Sequence, residues 1–289
     1  MDFDDAEDSP LVRLANAVLL NMLRYSVELT RYSIDVGVVQ KRLRDGSWHN
    51  EMEIPDHVRG ALMARFLRMG VLEAPTGDPV GGQLRLMLGK GRSAFFLMYA
   101  RPCSDTWWLV IHHISDALAA KSITAEAHPE LLSEQARLAG SGDIAGLEAL
   151  RRVAMDRGDG FTELWAWSEM VRGLKDASAR IDAAEAMEAA AARVPGAGWF
   201  AVDAIGNRAE ALTLVGRGGE AVAEAERAVA RAREISLFVP WTAEIHLVAA
   251  KILERAGLFD HGRTYRESAA ALMRDLAPDD LWAAQILAP

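Results

Sequence analysis

Two patterns of hydrophobic and polar positions divide the chain. Up to about residue 114, apolar and polar residues alternate in short runs that are separated by turns containing Gly or Pro. From about residue 130, apolar and small residues recur every three or four positions in long segments rich in Ala, Leu, Glu and Arg. Alternation is typical of strands and the longer spacing of helices. The sequence therefore predicts an α+β part followed by an all-α part.

The first part is predicted to contain two helices and five strands. Ser9 and Pro10 are suited to the N-cap and first position of a helix, and helical spacing of apolar residues continues to Leu29. A second helix is expected from Pro55 to Gly70. Strands are predicted at residues 34–43, 48–54, 83–88, 93–99 and 107–114. Helices and strands are thus segregated, as in α+β folds.

Several short motifs in this part resemble the small N-terminal domain of the type II secretion and type IV pilus assembly ATPases. They comprise the helix start at Ser9, the segment Ser33–Val36, the run Arg42–Gly46 before Pro55, and the hairpin Gly82–Tyr99. The resemblance covers residues 9–114 and implies a PAS-like α+β domain with an Arg-rich strand that leads into an Asp-Gly turn. The chain departs from the family in having only Tyr32–Val36 where the family has Ser-Asp-Ile-His-Ile-Glu-Pro.

The chain also departs from these ATPases in lacking their nucleotide-binding motor. Gly89-Lys90-Gly91 is the string that comes nearest to a phosphate-binding loop, but it lacks the Gly-x-x-x-x-Gly-Lys-Ser/Thr spacing that cradles a phosphate. A hairpin turn between two strands explains it. No ATP binding and no cofactor are expected.

The second part is predicted to be helical throughout, with four helical hairpins. Gly and Pro interrupt strong helix formers at regular intervals. The expected helices span residues 130–139, 144–157, 161–174, 177–193, 199–216, 219–235, 240–257 and 261–275. We expect residues 1–8 to form an acidic tail, 9–114 the α+β domain, 115–129 a linker and 130–289 the helical array.

Two segments of this array resemble tetratricopeptide repeats. The segment Asn207–Ala228 has small residues where paired helices approach, and Lys251–Gly262 follows the same scheme about 41 residues later, a period longer than the usual 34. The small residues are Ala209, Gly216, Ala221 and Ala228, matched by Ala250, Gly257, Gly262 and Ala269. The resemblance implies a solenoid whose concave groove holds a peptide or a helix of another protein.

The candidate groove residues lie on the first helices of the predicted hairpins. They are Trp165, Trp167, Arg208, Thr213, His246 and Arg255. Arginine side chains in the groove favour an acidic peptide as the ligand. Two alternatives stay open: the tryptophans simply pack between hairpins, and the cationic residues only pair with Glu210, Glu244 or Glu254.

Charge and cysteine content narrow the choice of partner and compartment. The formal charge of −9 argues against nucleic acid. A single cysteine, Cys103, permits no intrachain disulfide, so a reducing cytoplasm is expected. The acidic first residues do not resemble a signal peptide. The sequence has no run of about 18 apolar residues, which would predict membrane insertion.

No pattern of catalytic or metal-binding residues is found. His112 and His113 are adjacent in a predicted strand, so their side chains point to opposite faces and at most one of them can join His49 in a given site. Cys103 lies in a turn without a nucleophile signature. Neither a metal site nor enzymatic activity is expected.

The leading hypothesis is a non-catalytic adaptor or scaffold in the bacterial cytoplasm, tied to secretion, pilus or motility machinery. The first alternative is a ligand-sensing module with a PAS-like pocket lined by aromatic residues. That pocket would use Trp48, Phe95, Phe96 and Trp108. An enzyme of unrecognised type is the second alternative, and a homo-oligomer stays open.

Overall fold

A computed structural model describes residues 9–25, 27, 29–43, 46–70, 80–89, 92–103, 106–113, 115–116, 121–122, 124–126, 130–131, 134, 137–138, 141–235 and 239–276. The chain divides into two compact units, residues 1–125 and 126–289, called here the sheet unit and the helical unit. The boundary lies within the predicted linker 115–129. The predicted fold class, an α+β part followed by an all-α part, is confirmed.

The sheet unit is built on a sheet of seven strands, six of which form an antiparallel path. Six of them follow the order β3-β2-β1-β6-β5-β4, and β9 pairs with β5; β7 and β8 form a separate pair. The elements in chain order are α1 (Pro10–Arg24), β1 (Leu29–Ser33), β2 (Val38–Arg42), β3 (Trp48–Glu53), α2 (Asp56–Met69), β4 (Val80–Gly89), β5 (Arg92–Cys103), β6 (Thr106–His113), β7 (Ser115–Asp116), β8 (Lys121–Ser122) and β9 (Thr124–Glu126).

The central strand β1 was not predicted, and its presence changes the boundaries expected for this unit. Helix α1 ends at Arg24, and the residues that were expected to continue its apolar stripe lead into β1, which pairs with both β2 and β6. The next predicted strand starts four residues later than expected, at Val38, because Ile34–Val36 form a turn before Gly37 at φ +64°. The order as far as β6 is therefore helix, three strands, helix, three strands.

Helices α1 and α2 pack on one face of this sheet. Their fully buried residues contact apolar side chains from several strands, and the hydroxyl of Tyr32 on β1 donates a 3.0 Å hydrogen bond to the carbonyl oxygen of Arg59 on α2. The Arg59 guanidinium in turn donates to the carbonyl oxygen of Ile54, which ties the start of α2 to the sheet. The packing includes Leu19 and Met22 of α1, Leu62 and Phe66 of α2, and Phe96 and Ile111 of the sheet.

The helical unit contains seven well-formed helices between residues 144 and 276. They are α3 (Ile144–Asp156), α4 (Gly160–Gly173), α5 (Ala177–Ala191), α6 (Gly198–Leu214), α7 (Gly218–Glu234), α8 (Val239–Arg255) and α9 (Phe259–Leu276). These bounds lie within two residues of the predicted ones. Parts of the first predicted helix, residues 130–139, lie outside the described residues. So do residues 90 and 91, which belong to the turn predicted at Gly89-Lys90-Gly91.

Small residues allow the helices of this unit to approach closely. Ala209, Ala221, Ala250 and Ala269 are fully buried. A Cβ added at Gly262 would lie 2.7 Å from Cγ of Glu254. Gly216 and Gly257 take positive φ angles of 78° and 81° at the turns after α6 and α8, which glycine adopts without strain. Within the described residues, no helix is long and apolar enough to cross a membrane.

Candidate binding cleft on the helical unit

The two predicted groove tryptophans on α4 are largely used in packing. Trp165 is 8% exposed. Trp167 packs against the apolar core that α3 and α4 share, and the Arg151 guanidinium lies 4.6 Å from the centre of its ring. These contacts match the alternative in which the tryptophans pack between helices.

Arg208 and Thr213 on α6 are held by contacts within the array. Arg208 is 16% exposed and lies 2.7 Å from the carboxylate of Glu224 on α7 and 3.2 Å from that of Glu188 on α5. The Thr213 hydroxyl donates to the carbonyl oxygen of Ala209 one turn earlier. Arg208 is therefore engaged by carboxylates of α5 and α7, and not by Glu210 as the alternative had it.

His246 on α8 is 2% exposed and hydrogen-bonded on both ring nitrogens. Nδ1 lies 2.7 Å from the carbonyl oxygen of Thr242, which only accepts, so Nδ1 carries the proton and Nε2 accepts from Arg233. Burial, with a smaller contribution from Arg233, holds the pKa of His246 below its ordinary value. Arg255 is exposed at the end of α8.

A different set of residues lines a cleft of about 260 Å³ between α6 and α8. Arg172 of α4 and Arg180 of α5 complete it at one side. Its lining consists of Arg172, Arg180, Trp199, Val202, Asp203, Gly206, Asn207, Glu210, Trp241, Glu244, Ile245 and Val248, and none of the six predicted groove residues belongs to it. We call this the α6–α8 cleft.

Helical spacing brings these residues to one face of each helix. Trp199, Val202, Gly206 and Glu210 follow each other on α6 at intervals of three or four residues. Trp241, Glu244 or Ile245, and Val248 do the same on α8. Close approach depends on Gly206, where an added Cβ would lie 3.1 Å from Cδ1 of Ile245.

Two tryptophans form the aromatic part of the cleft. Trp199 is 3% exposed, stacks on Phe200 with ring centres 3.7 Å apart, and meets Trp241 edge-on at 4.9 Å. The indole N–H of Trp199 is buried without a hydrogen-bond acceptor in the part of the chain that the structure describes. A buried N–H without an acceptor is costly to stability.

The polar residues of the cleft form a connected network. Asp203 accepts hydrogen bonds from the Ser168 hydroxyl at 2.8 Å and from the Asn207 amide at 3.0 Å. The guanidinium of Arg180 donates to the side-chain amide oxygen Oδ1 of Asn207 at 2.5 Å and to the carboxylate of Glu210 at 2.8 Å. These bonds fix the side chains along α6 in place.

Arg172 joins this network from α4. Its guanidinium donates to the Ser168 hydroxyl, lies 3.9 Å from Asp203 and lies 3.5 Å from Glu169. Burial raises the pKa of Glu169, the positive charge of Arg172 opposes that rise, and the negative charge of Asp203 adds to it. The cleft margin near α4 is thus rich in carboxylates.

The histidines of the sheet unit do not gather into one site. His113 is buried on the core face of the sheet, with its ring centre 5.3 Å from that of Phe96. His112 points to the other face, and the exposed His49 contacts the Ser47 hydroxyl. Among the described residues, no group of three or more His, Cys, Asp or Glu is arranged to hold a metal ion.

The aromatic residues of the hypothetical PAS-like pocket are also divided between the two faces. Phe96 belongs to the core under the helices, and its neighbour Phe95 faces the opposite way. Trp48 and Trp108 flank Arg31, whose guanidinium lies 4.1 Å and 5.2 Å from their ring centres. The four side chains therefore do not line one pocket.

Comparison with known proteins finds no matching family model and no matching curated protein. The resemblances to the secretion ATPase domain and to tetratricopeptide repeats consequently remain predictions that rest on motifs.

Proposed function

We propose that the protein is a non-catalytic adaptor that binds another protein through the α6–α8 cleft. The observation that carries the proposal is the cleft itself, because α6 and α8 repeat the same kind of lining, with a tryptophan followed by apolar and carboxylate side chains. A partner segment is therefore a suitable occupant.

The cleft, with a volume of about 260 Å³, has room for a side chain of a partner. Asp203 and Glu210 are engaged by hydrogen bonds from Asn207 and Arg180, which hold the polar side chains of the cleft in one arrangement.

We further propose that the array is of the tetratricopeptide type and that the sheet unit docks on secretion, pilus or motility machinery. The tetratricopeptide type is supported by four fully buried small residues at the positions where paired helices were expected to approach. They are Ala209, Ala221, Ala250 and Ala269. The second of these proposals rests on the family-like motifs of residues 9–114, and Gly46 in one of them takes a φ of +86°. Secretion or pilus components are the expected partners.

Site-specific photo-crosslinking of the full chain in its native host tests the adaptor proposal. A photoreactive residue is placed at Glu244 on the cleft margin, and at Glu267 on α9, which does not line the cleft, as the matched control. We expect one defined polypeptide to be crosslinked from position 244 and not from position 267. Equal crosslinking from both positions, or none from position 244, contradicts the proposal.

A further inference from the structure

One histidine is enclosed where α7, α8 and α9 meet. His246 on α8 is 2% exposed, and both of its ring nitrogens are hydrogen-bonded. Nδ1 donates to the carbonyl oxygen of Thr242 at 2.7 Å, and Nε2 accepts from the Arg233 guanidinium of α7 at 3.3 Å. The Tyr265 ring of α9 meets the imidazole edge-on, with ring centres 5.6 Å apart. The imidazole is thus held in the neutral form that carries its proton on Nδ1.

The contact between Arg233 and His246 joins two neighbouring hairpins. Arg233 lies in the last turn of α7, and His246 lies two turns into α8. In the part of the chain that the structure describes, it is the only side-chain hydrogen bond between these two helices. Apolar packing also joins them, since Val229 of α7 belongs to one cluster with Ala249 and Ile252 of α8. The junction therefore combines apolar packing with one hydrogen bond whose acceptor can be protonated.

Protonation of His246 is incompatible with this arrangement. A second N–H, on Nε2, would point at a guanidinium group, which has donors and no acceptor. Two positive charges would also face each other across the 3.3 Å between Nε2 and the Arg233 nitrogen, in a buried site where like charges repel more strongly than in water. Burial accordingly lowers the pKa of His246, the hydrogen bond to Thr242 opposes that change, and Arg233 adds to it.

The groups around His246 do not compensate a positive charge on its ring. In the described part of the chain, no carboxylate contacts the ring. From α9 the ring faces Tyr265, whose pKa is raised by burial and by the charge of Glu226, so that the phenol stays neutral in acid. Glu226 of α7 lies 3.7 Å from His261, which stacks on Tyr265. A proton on His246 is therefore accommodated only if the ring or Arg233 moves.

We propose that the junction between α7 and α8 is an acid-sensitive hinge, at which protonation of His246 releases the start of α8 from the last turn of α7. Below about pH 6.5, where an exposed histidine ordinarily titrates, the open form takes up a proton that the closed form does not, so acid favours the open form. Because α8 also forms one wall of the α6–α8 cleft, opening changes the shape of the cleft. The inference holds whatever the cleft binds.

Hydrogen exchange of the full chain, followed by mass spectrometry between pH 7 and pH 4.5, tests the hinge. The rates are first corrected for the intrinsic pH dependence of amide exchange. Amides at the start of α8 should then exchange about tenfold faster for each pH unit below 6.5, until the pH reaches the lowered pKa of the closed form. Nitrogen-15 NMR of labelled histidines at pH 7 should show the His246 proton on Nδ1 and none on Nε2.

Matched variants locate the effect at the junction. His246→Gln removes the titrating group, so the acid-dependent rise in exchange should disappear. Arg233→Gln removes the positive charge and supplies an amide oxygen that can accept from a protonated ring, so the total rise between pH 7 and pH 4.5 should be smaller. Arg231→Gln is the control, because Arg231 lies in the same turn of α7 but pairs with Glu234 at the surface. It should leave the rise unchanged.

Three results would overturn the hinge. The first is a corrected exchange rate at the start of α8 that does not rise in acid, or a rise that persists in His246→Gln. The second is an equal rise in Arg233→Gln and Arg231→Gln, since the contact with Arg233 would then play no part. The third is a His246 proton on Nε2 at pH 7, which contradicts the hydrogen bonds of the junction. This NMR measurement uses the parent chain, so it decides even if circular dichroism shows that His246→Gln is unfolded.

Discussion

The sheet unit and the helical unit differ in the share of small side chains in their interiors, although both bury large residues, such as Phe161 and Phe200 in the helical unit. The sheet unit packs large residues such as Phe66, Phe96 and Met98 between two helices and a sheet. The helical unit buries many alanines, including Ala209 and Ala225, and links its helices by arginine–glutamate pairs along their surfaces. Large side chains tolerate truncation poorly, whereas partly exposed ion pairs each contribute little. The two units should therefore respond differently to the same kinds of perturbation.

Truncation in the core of the sheet unit should have the largest effect. Phe96 is fully buried, so Phe96→Ala is expected to reduce the free energy of unfolding of the sheet unit by about 3–5 kcal/mol. Because the helical unit has apolar clusters of its own, its stability should be unchanged. Hydrogen exchange of the full chain, followed peptide by peptide by mass spectrometry, measures both units in one sample. Faster exchange in the helices α6–α9 would show that the units unfold together.

Acid should destabilise the sheet unit through its buried histidine pair. Burial lowers the pKa of His113 from 6.5 to about 4, and burial together with the neighbouring ring lowers that of His112 to about 4. As the pH falls below 6.5, the unfolded chain takes up protons that the folded unit does not, so stability is lost between pH 6.5 and about 4. For His113 alone the loss is up to about 3 kcal/mol.

The variant His113→Phe isolates this effect, because phenylalanine keeps the ring beside Phe96 and removes the titrating group. Denaturant unfolding at pH 7 and at pH 4.5 should show a smaller acid loss for the variant than for the parent chain. An identical acid loss in both chains would assign the sensitivity to other groups. His246, whose pKa is also lowered, provides the corresponding reference in the helical unit.

The contrast between the helical unit and the sheet unit also explains how far the sequence predicts the fold. Helix bounds in the helical unit were accurate because local signals mark them, such as Asp176 as the N-cap of α5 and Gly216 after α6. Strand β1 was missed because its place between β2 and β6 depends on pairing with residues far along the chain. Leu29 fits either a helical stripe or a buried strand, and spacing alone does not decide between them.

The cleft was harder to predict than the helices that form it. Its lining comes from α4, α5, α6 and α8, and the contact of Gly206 with Ile245 exists only after the hairpins pack. One signal was present in the sequence: Trp199 and Trp241 stand near the starts of α6 and α8, at nearly the period that relates Ala209 to Ala250. Residues chosen one by one for their charge, such as Arg208, proved to be engaged within the array.

The smallest expected effects concern the ion pairs of the helical unit, where the burial of a pair decides how much stability is lost when the pair is removed. Arg208 is 16% exposed between Glu188 and Glu224. Arg208→Ala would remove a guanidinium group that Glu188 and Glu224 share, while Arg227 still pairs with both carboxylates. We expect a loss of about 1 kcal/mol, less than for a fully buried pair because water still screens the site. Arg217, in contrast, pairs with Glu220 on the surface, with both side chains at least half exposed.

Arg217→Ala is the matched control and should leave the stability of the helical unit without a measurable change. Denaturant unfolding of both variants, each at low and at high salt, measures the difference. The loss caused by Arg208→Ala should persist at high salt, since half-buried charges are screened less than exposed ones. If the two variants lose equal stability, or if salt removes the loss in Arg208→Ala, the Glu188–Arg208–Glu224 cluster behaves as a surface pair. The contrast between the two units would then rest on their apolar cores alone.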